Sequence, residues 1–168
     1  MIGIAFLLVI SIASAGVLSY YGKIVGSVNV QPPVFYASKD CSDSVCKIYI
    51  NNLPSEHSGY VSKNPIYFDS ESLGVNEWYA ANWKIILKLK GTADDQRVDY
   101  VLRFANNEYK SICSGYVTIS TSIKEKTITC SPGEIQLSPQ HYLELWLSSK
   151  YDFDTYTDGS TRVEVNPA

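Results

Sequence analysis

Four cysteines, two histidines and a scatter of acids are the side chains here whose chemistry could matter. Cys41, Cys46, Cys113 and Cys130 are even in number, which in an exported chain reads as a disulfide framework with three possible connectivities. The spacings C-x4-C and C-x16-C match no common zinc pattern, and neither histidine lies near them. The favoured pairs are Cys41–Cys46, around the tight loop SDSV, and Cys113–Cys130, tying two strands. Each would contribute roughly 2–4 kcal/mol, mostly by restricting the unfolded chain.

The remaining candidates point to solvated surface or core. His57 and His141 fall in different loops or strand edges with no nucleophile motif beside them, and read as surface histidines. Asp152, Asp154 and Asp158 are spaced like a calcium-binding run. Tyr156 and Thr157 stand where such a loop needs a ligand and its turn glycine, so Asp152 and Asp154 read as the solvent face of a strand. Asp69, Glu71 and Glu77 make no carboxylate pair. Trp78, Tyr79 and Trp83, in NEWYAANW, either line a sugar platform or pack a core. Lys84, Lys88 and Lys90 form a basic strand face, read as a solvated face that could also blunt a sheet edge. The chain has no Gly-rich phosphate loop and no glycosylation sequon. These residues predict no catalytic group, no cofactor and no metal, hence a protein that is not an enzyme.

The elements that must position them are strands. Trp83, Ile85, Leu87 and Leu89 alternate with Lys84, Lys88 and Lys90, with Ile86 out of step. Val98, Tyr100, Leu102 and Phe104 alternate with Asp99 and Arg103, while Leu143, Leu145 and Leu147 oppose Tyr142, Glu144 and Trp146. Cys46, Ile48 and Ile50 alternate in the same way. This period of two marks antiparallel strands with one face on a core and one in water. Turn residues cluster between the runs, at 51–59, 91–95, 131–133 and 138–140. The prediction is an all-β fold, an antiparallel β-sandwich or jelly roll, over residues 34–168. Ile112–Ile119 and Ile123–Cys130 are expected to fold as a hairpin about Ser120–Ser122. A second hairpin, with the loop Thr157-Asp158-Gly159, would pair Phe153 with Val163, Tyr151 with Val165 and Asp154 with Arg162, with Gly159 left-handed.

Length and charge bound the function. The 168 residues suit one domain, and a net charge of −3 with a pI near 5.3 argues against nucleic acid as a partner. Residues 2–21 carry no charge, and the apolar run Ile2–Ile12 ends in Ala13-Ser14-Ala15. That pattern reads as a secretory signal over residues 1–15, or as a retained helix reaching about residue 22 and serving as the one membrane contact. Residues 16–33 follow as a strand with Ile24, Val28 and Val30 on one face, and a stiff linker, Gln31-Pro32-Pro33.

The segment ASAGVLSYYGKIVGSVNV, Ala13–Val30, resembles the N-terminal part of TasA/camelysin-like biofilm-matrix proteins and archaeal bundling-pilus subunits. The resemblance implies a jelly roll whose N-terminal strand completes the sheet of the next subunit. Ile24, Val28 and Val30 would be the subunit interface, and the product a homopolymer formed by donor-strand exchange outside the cell. A head-to-tail contact of this kind does not close and makes fibres. Two alternatives stand beside it. One is an archaeal type IV pilin-like subunit that keeps its helix. The other is a secreted or anchored module that binds glycan through Trp78, Tyr79 and Trp83.

Overall fold

The computed structural model describes residues 32–75, 77–78 and 82–166. The signal or helix at 1–22, the strand bearing Ile24, Val28 and Val30, and Tyr79 lie outside these residues. Thirteen strands follow in order: β1 (Val34–Ser42), β2 (Val45–Ile50), β3 (Tyr60–Ser62), β4 (Ile66–Ser72), β5 (Glu77–Trp78), β6 (Asn82–Gly91), β7 (Gln96–Ala105), β8 (Lys110–Ile119), β9 (Lys124–Cys130), β10 (Ile135–Gln136), β11 (Tyr142–Ser149), β12 (Phe153–Tyr156) and β13 (Arg162–Asn166). The fold is the all-β sandwich that the alternation predicts. Among the described residues no helix is long and apolar enough to cross a membrane.

Eleven strands make one sheet in the order β3-β12-β6-β13-β1-β2-β4-β11-β7-β8, with β9 on the other edge of β6. The sheet rolls over so that β6 faces β7, because the alternating apolar faces of both must leave water. Trp83 on β6 meets Phe104 on β7 edge to face at 5.6 Å, and Trp78 lies 5.5 Å from Trp83 and 6.2 Å from Phe35. Leu143, Leu145 and Leu147 of β11 complete the core from the β7 side.

Both disulfides form as the sequence predicts, but one has a different origin. Cys41 and Cys46 face each other across the β1–β2 hairpin, with the left-handed Asp43 in its turn. Cys113 and Cys130 join β8 to β9 with Cα atoms 6.1 Å apart. Those two strands are not a hairpin: β8 pairs with β7 and β9 with β6. The chain between them arches over the β6–β7 turn, where Asp94 accepts from both the N–H and the hydroxyl of Thr121. The bridge therefore ties the two ends of the rolled sheet.

The C-terminal hairpin is also corrected. Phe153–Thr155 and Arg162–Asn166 lie end to end along one edge of β6, opposite Leu89–Gly91 and Asn82–Ile86. Phe153, Thr155, Thr157, Thr161, Val163 and Val165 are all buried, so the inward alternation continues straight through the excursion at 157–161. Thr161 fills the gap by accepting the Lys88 N–H through Oγ1, and Gly159 is left-handed, as its loop position requires. With β9 on its other edge, β6 is a central strand, so Lys84, Lys88 and Lys90 do not blunt an edge. Lys84 and Lys88 meet Glu164 and Asp158 instead. The linker reading changes too. Pro33 is buried and its carbonyl accepts the Val165 N–H, so it belongs to the domain. One pair departs from an antiparallel plan: β2 runs parallel to β4.

The rolled sheet yields a prediction. Replacing Cys113 and Cys130 together by serine should cost about 3 kcal/mol in chemical denaturation, because the bridge closes a loop of about 17 residues. The Cys41/Cys46 pair, closing a turn the hairpin already holds, should cost clearly less. Equal losses would show that Cys113–Cys130 does not restrain the sheet ends.

Candidate functional site

Of the two readings of NEWYAANW, core packing holds for the tryptophans, and Tyr79 lies outside the described residues. Trp78 and Trp83 are 0% exposed and form the middle of the aromatic core. The histidines also separate. His57 is half-buried and stacks on Tyr49 at 5.3 Å. His141 is only 4% exposed, not a surface histidine. Its Nδ1 accepts the Ser138 N–H at 2.9 Å inside a tight turn, and the Ser138 hydroxyl lies 2.8 Å from the same nitrogen. Asp152, Asp154 and Asp158 do not converge. Asp154 accepts from Ser62, and Asp158 holds Lys88 and the Ser160 N–H. Burial pushes the Asp158 carboxyl up, but the bonds from Ser160 and Lys88 outweigh it and hold it below its ordinary value. Among the described residues no three His, Cys, Asp or Glu groups gather to hold a metal.

What the fold brings together instead is the outer face of β4, β11 and β7. Strand register places the side chains in two cross-strand rows. Tyr67 of β4, Trp146 of β11 and Val101 of β7 form one row, all half-buried. Lys47 of β2, Asp69 of β4, Glu144 of β11 and Arg103 of β7 form the next. Partners directly opposite one another lie about 5 Å apart at Cβ and interact. Tyr142 stands beyond them on β11. Sequence reading found the polar phase of β7 and β11 but treated Arg103, Glu144 and Trp146 as solvated face. The missed signal is that the outward phase of β11 is Tyr-Glu-Trp, unusually aromatic for a side that only meets water.

The electrostatics of the second row are unequal. Glu144 is 5% exposed and takes both Nε and Nη2 of Arg103, whose other side is covered by the Tyr109 ring at 3.8 Å. Lys47 is drawn off to Asp40 at 2.8 Å, and Tyr49 also donates to that carboxylate at 3.0 Å. The bonds from Lys47 and then Tyr49 hold the Asp40 carboxyl below its ordinary value. Among the described residues Asp69 is left without a cation of its own. Burial, then the charge of Glu144, push it up to about 6 against the opposing pull of Arg103. Its Oδ1 is buried with no hydrogen-bond partner among the described residues, and so is the indole Nε1 of Trp146. Burial raises the Tyr142 phenol as well, and the charges of Asp69 and Glu144 add to it.

Beside Asp69 a cleft of about 670 Å³ opens between β2 and β4. The two strands pair only over Val45–Lys47 and Tyr67–Asp69, then diverge. Cys46, Ile48, Ile50 and Ser70 line its inner part, and Asp40, Lys47, Asp69 and Glu71 its rim.

No protein-family model matches the chain, and no curated protein matches it. Solved structures do. A CocE/NonD family hydrolase from Staphylococcus aureus aligns with a TM-score of 0.62 at 10% identity, over 80% of this chain and 36% of the hydrolase. An α-amino acid ester hydrolase aligns at 0.60 and 8% identity, over 82% and 36%. The chain thus spans about a third of the length of these hydrolases, and the likeness is one of fold alone. The N-terminal cellulose-binding domain of Cellulomonas fimi β-1,4-glucanase C aligns more distantly, at 0.42 and 8% identity, over 80% and 86%.

The raised Asp69 carboxyl has a consequence for stability. Its folded value of about 6 lies above its ordinary 3.8, so between these the folded state binds the proton more tightly than the unfolded chain. Its contribution to stability is full below that window and falls as pH rises through it. Asp69→Asn should therefore raise the melting temperature at about pH 7.5, with the gain shrinking towards pH 4. A gain that is independent of pH, or a loss at pH 7.5, would contradict this placement of Asp69.

Proposed function

We propose that this chain is an exported, disulfide-bonded β-sandwich that binds glycan through the outer face of β4, β11 and β7. The observation that carries the reading is the half-buried Tyr67–Trp146 row lying against Asp69, Glu144 and Arg103. Ligand sites combine apolar ring surface with a few placed polar groups, and sugars need both: a flat C–H face on an aromatic ring and hydroxyls on fixed acceptors and donors. Strands hold these side chains, which gives more precision than loops would. Two disulfides suit an oxidising compartment outside the cytoplasm. Trp146→Ala and Tyr67→Ala should each weaken retention on the polysaccharide that the protein binds by about tenfold or more, as loss of an aromatic anchor does. Melting temperatures should change little, since neither ring is in the core. Unchanged binding in the double variant would overturn the proposal.

A second reading, polymerisation by donor-strand exchange, is favoured by the cleft. Past Lys47 and Asp69 neither facing strand edge has a partner among the described residues, and the apolar floor of Ile48 and Ile50 lies between them. An extended segment of another copy, with Ile24, Val28 and Val30 alternating, would find backbone groups and a pocket there. Deleting residues 16–30 tests it. Sedimentation should then show monomer where the full chain forms large assemblies, and assemblies that survive the deletion would rule this reading out.

A further inference from the structure

The charges around the face are not balanced. Asp40 is neutralised by Lys47, and Glu144 by Arg103. Elsewhere Asp99, Glu108, Asp158 and Glu164 each have a cation within 4.0 Å. Pairing off the groups of the β2–β4–β11–β7 face leaves Asp69 and Glu71, both on the rim of the cleft. Of these Asp69 is held partly out of water beside a second carboxylate, with one oxygen buried and unpartnered among the described residues. Leaving such an oxygen unsatisfied is costly, and an unsatisfied group in a native fold calls for an explanation. On its own strand Tyr67 stands two residues away on the same face, and Trp146 lies diagonally across on β11. A carboxylate without a cation, framed by aromatic rings, is complementary to an organic ammonium: the acid supplies a charge-assisted hydrogen bond and the rings a cation–π surface.

Resting on the glycan reading above, we infer that the face selects saccharides that carry a protonated amine, the ammonium seated on Asp69 and the sugar ring on Tyr67 and Trp146. A divalent cation fits less well. It needs six or more oxygen ligands, whereas one of the two carboxylates here is already taken by Arg103. An acidic sugar fits worst, since Asp69, Glu71 and Glu144 would repel it while Lys47 and Arg103 are engaged.

The test is calorimetric titration with short glucosamine oligomers and with the same oligomers N-acetylated. It is run at about pH 6.5, where Asp69, at about 6, is mostly ionised and an amine keeps much of its charge. The wild-type chain should bind the amine form about tenfold more tightly or better, and added salt should shrink the preference. Asp69→Asn should bring the ratio near one, weakening the amine form far more than the N-acetylated form. Equal binding of the two forms by the wild-type chain, or a preference that survives in Asp69→Asn, would overturn the inference and leave the glycan reading standing. Binding of neither form, nor of any neutral polysaccharide, would remove both.

Discussion

β11 is hydrogen-bonded on both sides, to β4 and to β7, over most of its length. In a strand so held, side-chain direction is not negotiable: successive residues must point to opposite faces. Leu143, Leu145 and Leu147 go inward and cannot leave the core without several kcal/mol of lost burial. Tyr142, Glu144 and Trp146 are thereby fixed outward, on a surface flanked by the outward side chains of two more strands. A slip of one residue would exchange the two sets. The core and the proposed binding face are thus the two sides of a single register, and the stability of one holds the geometry of the other.

That fixed register has an electrostatic cost, and it falls on Asp69. Register sets it directly opposite Glu144, and the fold supplies one guanidinium for the two carboxylates. Arg103 is placed on the far side of Glu144, with Tyr109 over it, so it serves that acid first. The nearest other cation, Lys47, is engaged by Asp40 across the bulged β1–β2 hairpin. Burial raises the Asp69 carboxyl most, and the Glu144 charge that this arrangement sets beside it adds to the shift. Perturbed groups of this kind cluster at functional sites, where the chemistry calls for tuned side chains.

Much of the fold was legible from alternation. β6, β7 and β11 stand where their apolar phases put them, with the predicted residues inward. Both disulfide pairings were also readable, one from a five-residue separation and one from two adjoining strand-like runs. What could not be read was which strand lies beside which. Phe153–Val165 keeps one inward phase throughout, so the same pattern fits a hairpin and an end-to-end run along β6 equally well. β8 and β9 are joined by so short a connection that a hairpin was the natural expectation, and only the arch over the β6–β7 turn shows otherwise. The site suffered for the same reason. Asp69, Glu144 and Arg103 lie far apart in the chain, and nothing local marks them as neighbours. Trp78 and Trp83 drew attention as a cluster in sequence, but clustering of large rings serves burial as readily as recognition, and here it serves burial.

The central claim is that the outward phase of β4, β11 and β7 is where ligand meets protein. The most direct measurement is two-dimensional NMR of the labelled chain, following the three tryptophan indole N–H signals as a soluble oligosaccharide that it binds is added. The account predicts that the Trp146 signal, whose Nε1 has no partner among the described residues, moves saturably together with the amides of Asp69 and Arg103. The Trp78 and Trp83 signals, from rings 0% exposed, should stay in place. A ligand that moves the amides of Ile48–Ile50 while leaving Trp146 unshifted would contradict it, and would place recognition in the cleft instead.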